Sequence, residues 1–168
     1  MHTPTSLDHL LTLRQQWRDD GQRVVLTNGI FDLLHVGHVQ YLQQARALGD
    51  LLVVGLNSDD STRQFKGPKR PLIPQDERAA LLRELRSVDQ VVIFGERTAE
   101  RLVDLLRPDI YVKGGDYTLP TNATDTPQGK DLPEARVVLG YGGRVELIQY
   151  LPGHSTTELI ERIVERYG

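Results

Sequence analysis

A chain of 168 residues is long enough to close one hydrophobic core and short for two. With 39% hydrophobic and 26% charged residues it has the composition of a globular protein, and a formal net charge of −3 gives no sign of a general nucleic-acid or membrane surface. The absence of cysteine excludes a disulfide framework and fits a cytoplasmic protein, no apolar run approaches the ~20 residues of a membrane span, and the stretch from Met1 to Arg18 lacks the basic and apolar segments of a secretory leader.

Strand and helix signals alternate along the chain. Ser6 or Thr5 is positioned to cap a first helix, which carries Leu10, Leu11, Leu13 and Trp17 and stops at Gly21. A strand expected at 24–27 leads to a helix at 36–48, and a second at 51–56 precedes a helix at 75–87. A third strand at 90–94, a fourth at 110–113 and a fifth at 145–150 precede helices at 98–106, 134–141 and 155–166. Pro74 and Pro108 fall where helices should begin or have ended. Short apolar strands alternating with helices predict an α/β, doubly wound parallel sheet of five strands with helices on both faces. One domain over 1–168 is expected. Residues 1–21 form a helical extension, either a cap on the sheet or a subunit contact. The polar stretch 117–133 reads as a mobile loop, either a lid or an idle insertion.

The segment Thr27-Asn-Gly-Ile-Phe-Asp-Leu-Leu-His-Val-Gly-His38 places two imidazoles where a buried strand gives way to a helix. A helix N-terminus presents unpaired N–H groups and a positive dipole end, so it favours phosphate, and His35 and His38 add donors aimed at the same anion. The competing account is local packing or capping. Zinc is disfavoured, because cysteine and a third nearby ligand are missing, and no resident metal site is expected. Parallel sheets bind ligands beyond the carboxyl ends of their strands. Polar groups gather there after strand two (Asn57, Ser58, Asp59), strand four (Lys113 to Tyr117) and strand five (His154 to Thr157).

These motifs resemble the cytidylyltransferase-type nucleotidyltransferases, which have a Rossmann-like core. Asn57-Ser-Asp59, Lys66-Gly67 and Val112-Lys-Gly-Gly-Asp-Tyr117 are similar to the adenylyltransferases that form ADP-heptose. The resemblance spans nearly everything from Arg23 to Arg166. It implies transfer of AMP from ATP to a sugar 1-phosphate, D-glycero-β-D-manno-heptose 1-phosphate, with Mg²⁺ arriving on the nucleotide. It further implies a homodimer, and a separate kinase to make the sugar 1-phosphate.

Through the resemblance His35, His38 and Lys113 are the catalytic candidates. Thr27, Asn28, Gly29, Phe31, Gly37, Asn57, Lys66, Arg78, Gly114, Ser155, Thr156 and Thr157 are the nucleotide-binding ones. Asp32, Asp59, Asp116 and Tyr117 are assigned to the acceptor sugar, with orientation of Mg²⁺ waters a further role for Asp32. Each has a plainer reading: a turn cap for Asp32, an N-cap among Ser155 to Thr157, a surface ion pair for Arg78, a solvated strand end for Lys113. Family members often carry an arginine just before the Ser-Thr-Thr element, where this chain has Gly153-His154. Two other functions remain open on sequence. One is a same-fold transferase: a cytidylyltransferase for glycerol 3-phosphate, or an adenylyltransferase for a flavin or pantetheine phosphate. The other is a nucleotide-binding regulatory protein without turnover.

Overall fold

A computed structural model of the chain describes residues 4–115, 117–120, 130–149 and 151–168. Among them β1 (Val24–Gly29), β2 (Leu51–Asn57), β3 (Gln90–Phe94), β4 (Ile110–Gly114) and β5 (Arg144–Ile148) form one parallel sheet in the order β3-β2-β1-β4-β5. Val25 pairs with Leu52 on one side and Ile110 on the other, so β1 lies at the centre. The chain winds outward from β1 to β3, then returns to lay β4 against the free side of β1. That reversal opens a crevice at the carboxyl ends of β1 and β4.

Val24, Val25 and Leu26 are all wholly buried, which explains an unbroken apolar run in place of alternation: both faces of the strand are covered. Val25, Leu52 and Val54 face α2 (Val36–Arg46) and α4 (Gln75–Arg83) through Leu42, Ala45, Ala79 and Leu82. Val24, Leu26 and Val53 face α1 (Leu7–Asp19), α5 (Glu100–Leu106) and α6 (Pro133–Gly140) through Leu10, Val103, Leu106 and Val138. Ser6 caps α1 by accepting from the His9 N–H. Arg14 of α1 is buried, donates to the carbonyls of Leu106 and Arg107, and pairs with Asp109 at 3.1 Å. The first helix therefore packs as a cap on this side of the sheet.

One helix was not expected. α3 (Asp59–Lys66) starts where Ser58 accepts from the Ser61 N–H and two acidic residues, Asp59 and Asp60, fill the first turn. Its sequence lacks an apolar period, so the cap was its only local signal. α2 and α4 end earlier than expected, at Arg46 and Arg83, because tighter turns follow: Leu48 N–H bonds to the Ala45 carbonyl and Val88 N–H to that of Leu85. The last helix, α7 (Thr156–Tyr167), has no buried residue. No helix among the described residues is long and apolar enough to cross a membrane.

Candidate active site

The crevice is a cavity of about 980 Å³. Asn28 and Gly29 of β1, the turn through Phe31 and Asp32, and His35, Gly37 and His38 at the start of α2 line one wall. Lys113 and Gly114 end β4 on the floor, and Ser155, Thr156 and Thr157 bring in the start of α7. Sequence positions far apart thus converge because the sheet aligns their strand ends.

His35 occupies the N-cap position of α2 but makes no side-chain cap bond. Its ring stacks on that of His38 with centroids 3.9 Å apart, and Phe31 lies 5.2 Å from His38 on the other side. Phe31 holds a left-handed backbone, φ 47°, which a bulky residue adopts only when its surroundings fix it. Glycine at 37 follows from the same packing: a Cβ there would lie 3.0 Å from the His35 ring and 3.1 Å from the His154 Cβ. Both ring nitrogens of His35 and Nδ1 of His38 are buried without a hydrogen-bond partner. Burying an unpaired polar atom costs about 1–3 kcal/mol, so an anion supplying acceptors would relieve a standing penalty.

Burial lowers the pKa of His38 to about 4, with His35 adding to the shift. His35 is also held below its ordinary value, by burial first and then by His154, against a smaller opposing pull from Glu158. At neutral pH each ring is therefore neutral and offers one N–H. Lys113 donates to the Asn28 carbonyl at 3.2 Å and to its Oδ1 at 3.0 Å. Burial lowers its pKa as well, with Glu134 opposing. Asn28 Oδ1 also accepts from the Tyr111 hydroxyl, so Asn28 fixes the lysine against the floor.

Several expected site residues have other partners. Thr27 is fully buried and its hydroxyl bonds the Tyr41 hydroxyl at 2.6 Å, behind the crevice wall and not within it. Arg78 is fully buried; it donates to the carbonyls of Ile73, Ile30 and Asn57 and to Asp59 Oδ1 at 2.6 Å. Neither Arg78 nor Asp59 lines the cavity; the pair ties α4 to the turns after β1 and β2. Asp32 is 2% exposed, accepts from the N–H groups of Leu72 and Ile73, and pairs with Arg70 at 2.6 Å. Its carboxylate clasps the 70–73 loop, which is the turn-holding alternative.

Asn57 donates to Ser61 Oγ yet still borders the cavity, and Lys66 borders it from the last residue of α3, where a loop was expected. Ser155 caps α7 by accepting from the Glu158 N–H, leaving Thr156 and Thr157 facing the crevice. His154 is exposed at the rim, with Nδ1 2.9 Å from the Pro152 carbonyl oxygen. Tyr117 lines the cavity with the Lys130 ammonium 4.3 Å from its ring centroid. Asp116 and positions 121–129 of the expected lid lie outside the described residues.

Sequence reading passed over Arg97, Lys130 and Glu134. Arg97 and Thr98 follow β3, the one strand end not counted among the polar clusters, and both line the cavity. Glu134 is 4% exposed and accepts from the Ala99 N–H, linking α6 to α5 beneath the same wall. Among the described residues no group of three metal-ligating side chains is present.

The crevice therefore presents neutral imidazole donors, a fixed lysine amine and a helix start to one volume. Such a set is suited to binding and polarising phosphate oxygens. Residues 26–162 match the family described as cytidylyltransferase-like. The chain is 55% identical to the bifunctional protein HldE of Syntrophotalea carbinolica, covering 99% of this chain and 33% of that protein. It is 53% identical to the bifunctional protein HldE of Geobacter sulfurreducens, covering 97% and 31%. It thus spans about a third of the length of these curated relatives. The crystal structure of the lipopolysaccharide core biosynthesis protein from Thermoplasma volcanium superposes with a TM-score of 0.58 at 32% identity, covering 78% of this chain and 98% of that one.

Proposed function

The chain belongs to the cytidylyltransferase-like family, and we propose that it is an adenylyltransferase joining AMP from ATP to D-glycero-β-D-manno-heptose 1-phosphate. One observation supports this above the others: His35, His38, Lys113 and the start of α7 line one cavity, and three ring nitrogens of the two histidines have no hydrogen-bond partner. The identity to HldE over nearly the whole chain favours the heptose acceptor.

In the proposed reaction an oxygen of the sugar phosphate attacks the α-phosphorus of ATP, the bond from that phosphorus to the bridging oxygen breaks, and pyrophosphate leaves. The attacking phosphate is already anionic near neutral pH, so no general base is required. Catalysis then consists of alignment and of stabilising charge on the phosphoryl oxygens. His35 and His38 donate one N–H each to those oxygens. Lys113 supplies a positive charge from the floor, and Thr156 and Thr157 with the α7 N–H groups hold the outer phosphates. Magnesium would arrive with the substrate as MgATP, where it would neutralise charge on the triphosphate. Asn28, Gly29, Phe31, Gly37, Asn57, Lys66 and Gly114 border the nucleotide, and Tyr117 borders the sugar. A cytoplasmic location and a pairing of two identical chains complete the reading.

The test is pyrophosphate release from purified protein with MgATP and heptose 1-phosphate, run beside CTP, GTP and UTP and beside glycerol 3-phosphate and pantetheine phosphate. ATP with the heptose is expected to be fastest. A preference for CTP, or silence with every acceptor, overturns the assignment.

A further inference from the structure

The helix that carries Thr156 and Thr157 into the crevice is the least supported element of the fold. None of the residues of α7 is buried; Ile163 is 48% exposed, Val164 62% and Tyr167 85%. At 3.6 residues per turn Leu159, Ile160, Ile163, Val164 and Tyr167 fall on one continuous face. A helix of 12 residues is marginal in water without such a face covered.

The charges say what covers it. Arg162 and Arg166 border the apolar face along its Leu159 side, and Glu161 and Glu165 border it along its Val164 side. One flank is basic and the other acidic, so the face is bordered by its own electrostatic complement. A twofold axis parallel to the helix sets the acidic flank of one copy against the basic flank of the other. A twofold axis across the helix would instead set like against like. We propose that α7 is the docking surface for α7 of a second copy of this chain, packed side by side and parallel, and that this contact holds the phosphate-gripping end of the helix against the crevice. The proposal gives the pair of chains suggested above its interface, and it rests on that pairing but not on the reaction.

Two helices of this length bury less than the ~800 Å² per partner of a standard interface, so the dimer should dissociate on dilution. Ordering α7 should in turn tighten nucleotide binding, since Thr156 and Thr157 start the same helix.

Charge reversal tests the pairing by sedimentation velocity over a dilution series without nucleotide. The first variant, E161R with E165R, has two basic flanks; the second, R162E with R166E, has two acidic ones. All four positions are exposed, so both variants should keep the fold, checked by circular dichroism. Each alone is expected to raise the dimer dissociation constant about tenfold or more, and an equimolar mixture should restore dimers. The KM for ATP should fall as wild-type protein is concentrated through the dimer transition, and it should fall again when the two variants are mixed. A wild-type chain that stays monomeric at high concentration, or a dimer that both variants retain, overturns the proposal. Sedimentation needs no turnover, so failure of the transferase assignment would leave this result readable, and an active monomer would overturn the pairing alone.

Discussion

Two polar clusters flank the turn after β1, both largely withdrawn from water, and they differ in how their hydrogen bonds close. In the first, Arg78 pairs with Asp59 and Asp32 with Arg70: Arg78 meets three carbonyls and a carboxylate, and Asp32 accepts from two N–H groups and Arg70. In the second, His35 and His38 stack together and leave three ring nitrogens without partners. Burial with partners is architecture. Burial without them, on the wall of a cavity, marks a candidate functional site. The residue types did not distinguish the two clusters, since both were expected to meet substrate.

Substitutions should separate the clusters. The largest effect is expected from Arg78→Met, which strands the Asp59 carboxylate and three carbonyls; stability should fall by about 3–5 kcal/mol in urea unfolding. Activity per folded molecule should hardly change, and a stable but inactive variant would move Arg78 into the site. Next come His35→Ala and His38→Ala, each expected to lower kcat by about 10²–10³ with little change in KM or in the unfolding midpoint. Loss of stability with undiminished turnover would return the histidines to a packing role. Asp32→Asn should cost about 1–3 kcal/mol by weakening its bond to Arg70, again with turnover preserved. A drop in kcat at unchanged stability would show that this carboxylate does touch substrate or its metal.

The smallest effect concerns pH. His38 titrates near 4 when folded and near 6.5 when unfolded, so between those values the unfolded chain binds more protons and stability rises with pH. Its contribution is complete above about 6.5 and is lost as pH falls toward 4. Lowering pH from 7 to 5 should therefore cost about 2 kcal/mol and reduce Tm by about 4–7 °C through this residue alone, and His38→Asn should remove that share. An identical pH dependence in the variant would show that the imidazole is better solvated than its surroundings imply.

How much of this was legible beforehand follows the range of the forces involved. Strand positions and the turn from β1 into α2 are local matters of apolar runs and caps, and Val24 to Leu26 and Ser6 announce them. Lys113 was legible as a strand end beside β1 only because strand order could be taken from the resemblance. Arg78 and Asp59 could not be sorted from ligands, because their bond spans 19 positions and depends on α3, a helix with no apolar period. Arg97 was passed over because one charged residue after β3 carries no pattern; its place in the cavity is set by the sheet.

The anchoring of α1 has a consequence for how the molecule opens. The Thr5 N–H bonds the carbonyl of Val91 in β3, Leu10 is wholly buried, and Arg14 grips the end of α5. The first helix therefore straps an edge strand to the end of α5, which lies 92 positions from Arg14 in the chain, and it cannot loosen without uncovering the α5 and α6 side of the sheet. Its amides should exchange with deuterium as slowly as those of β1, in one cooperative unit. The amides of α7 should exchange orders of magnitude faster in dilute protein. The two ends of the chain, both helical, thus keep different clocks.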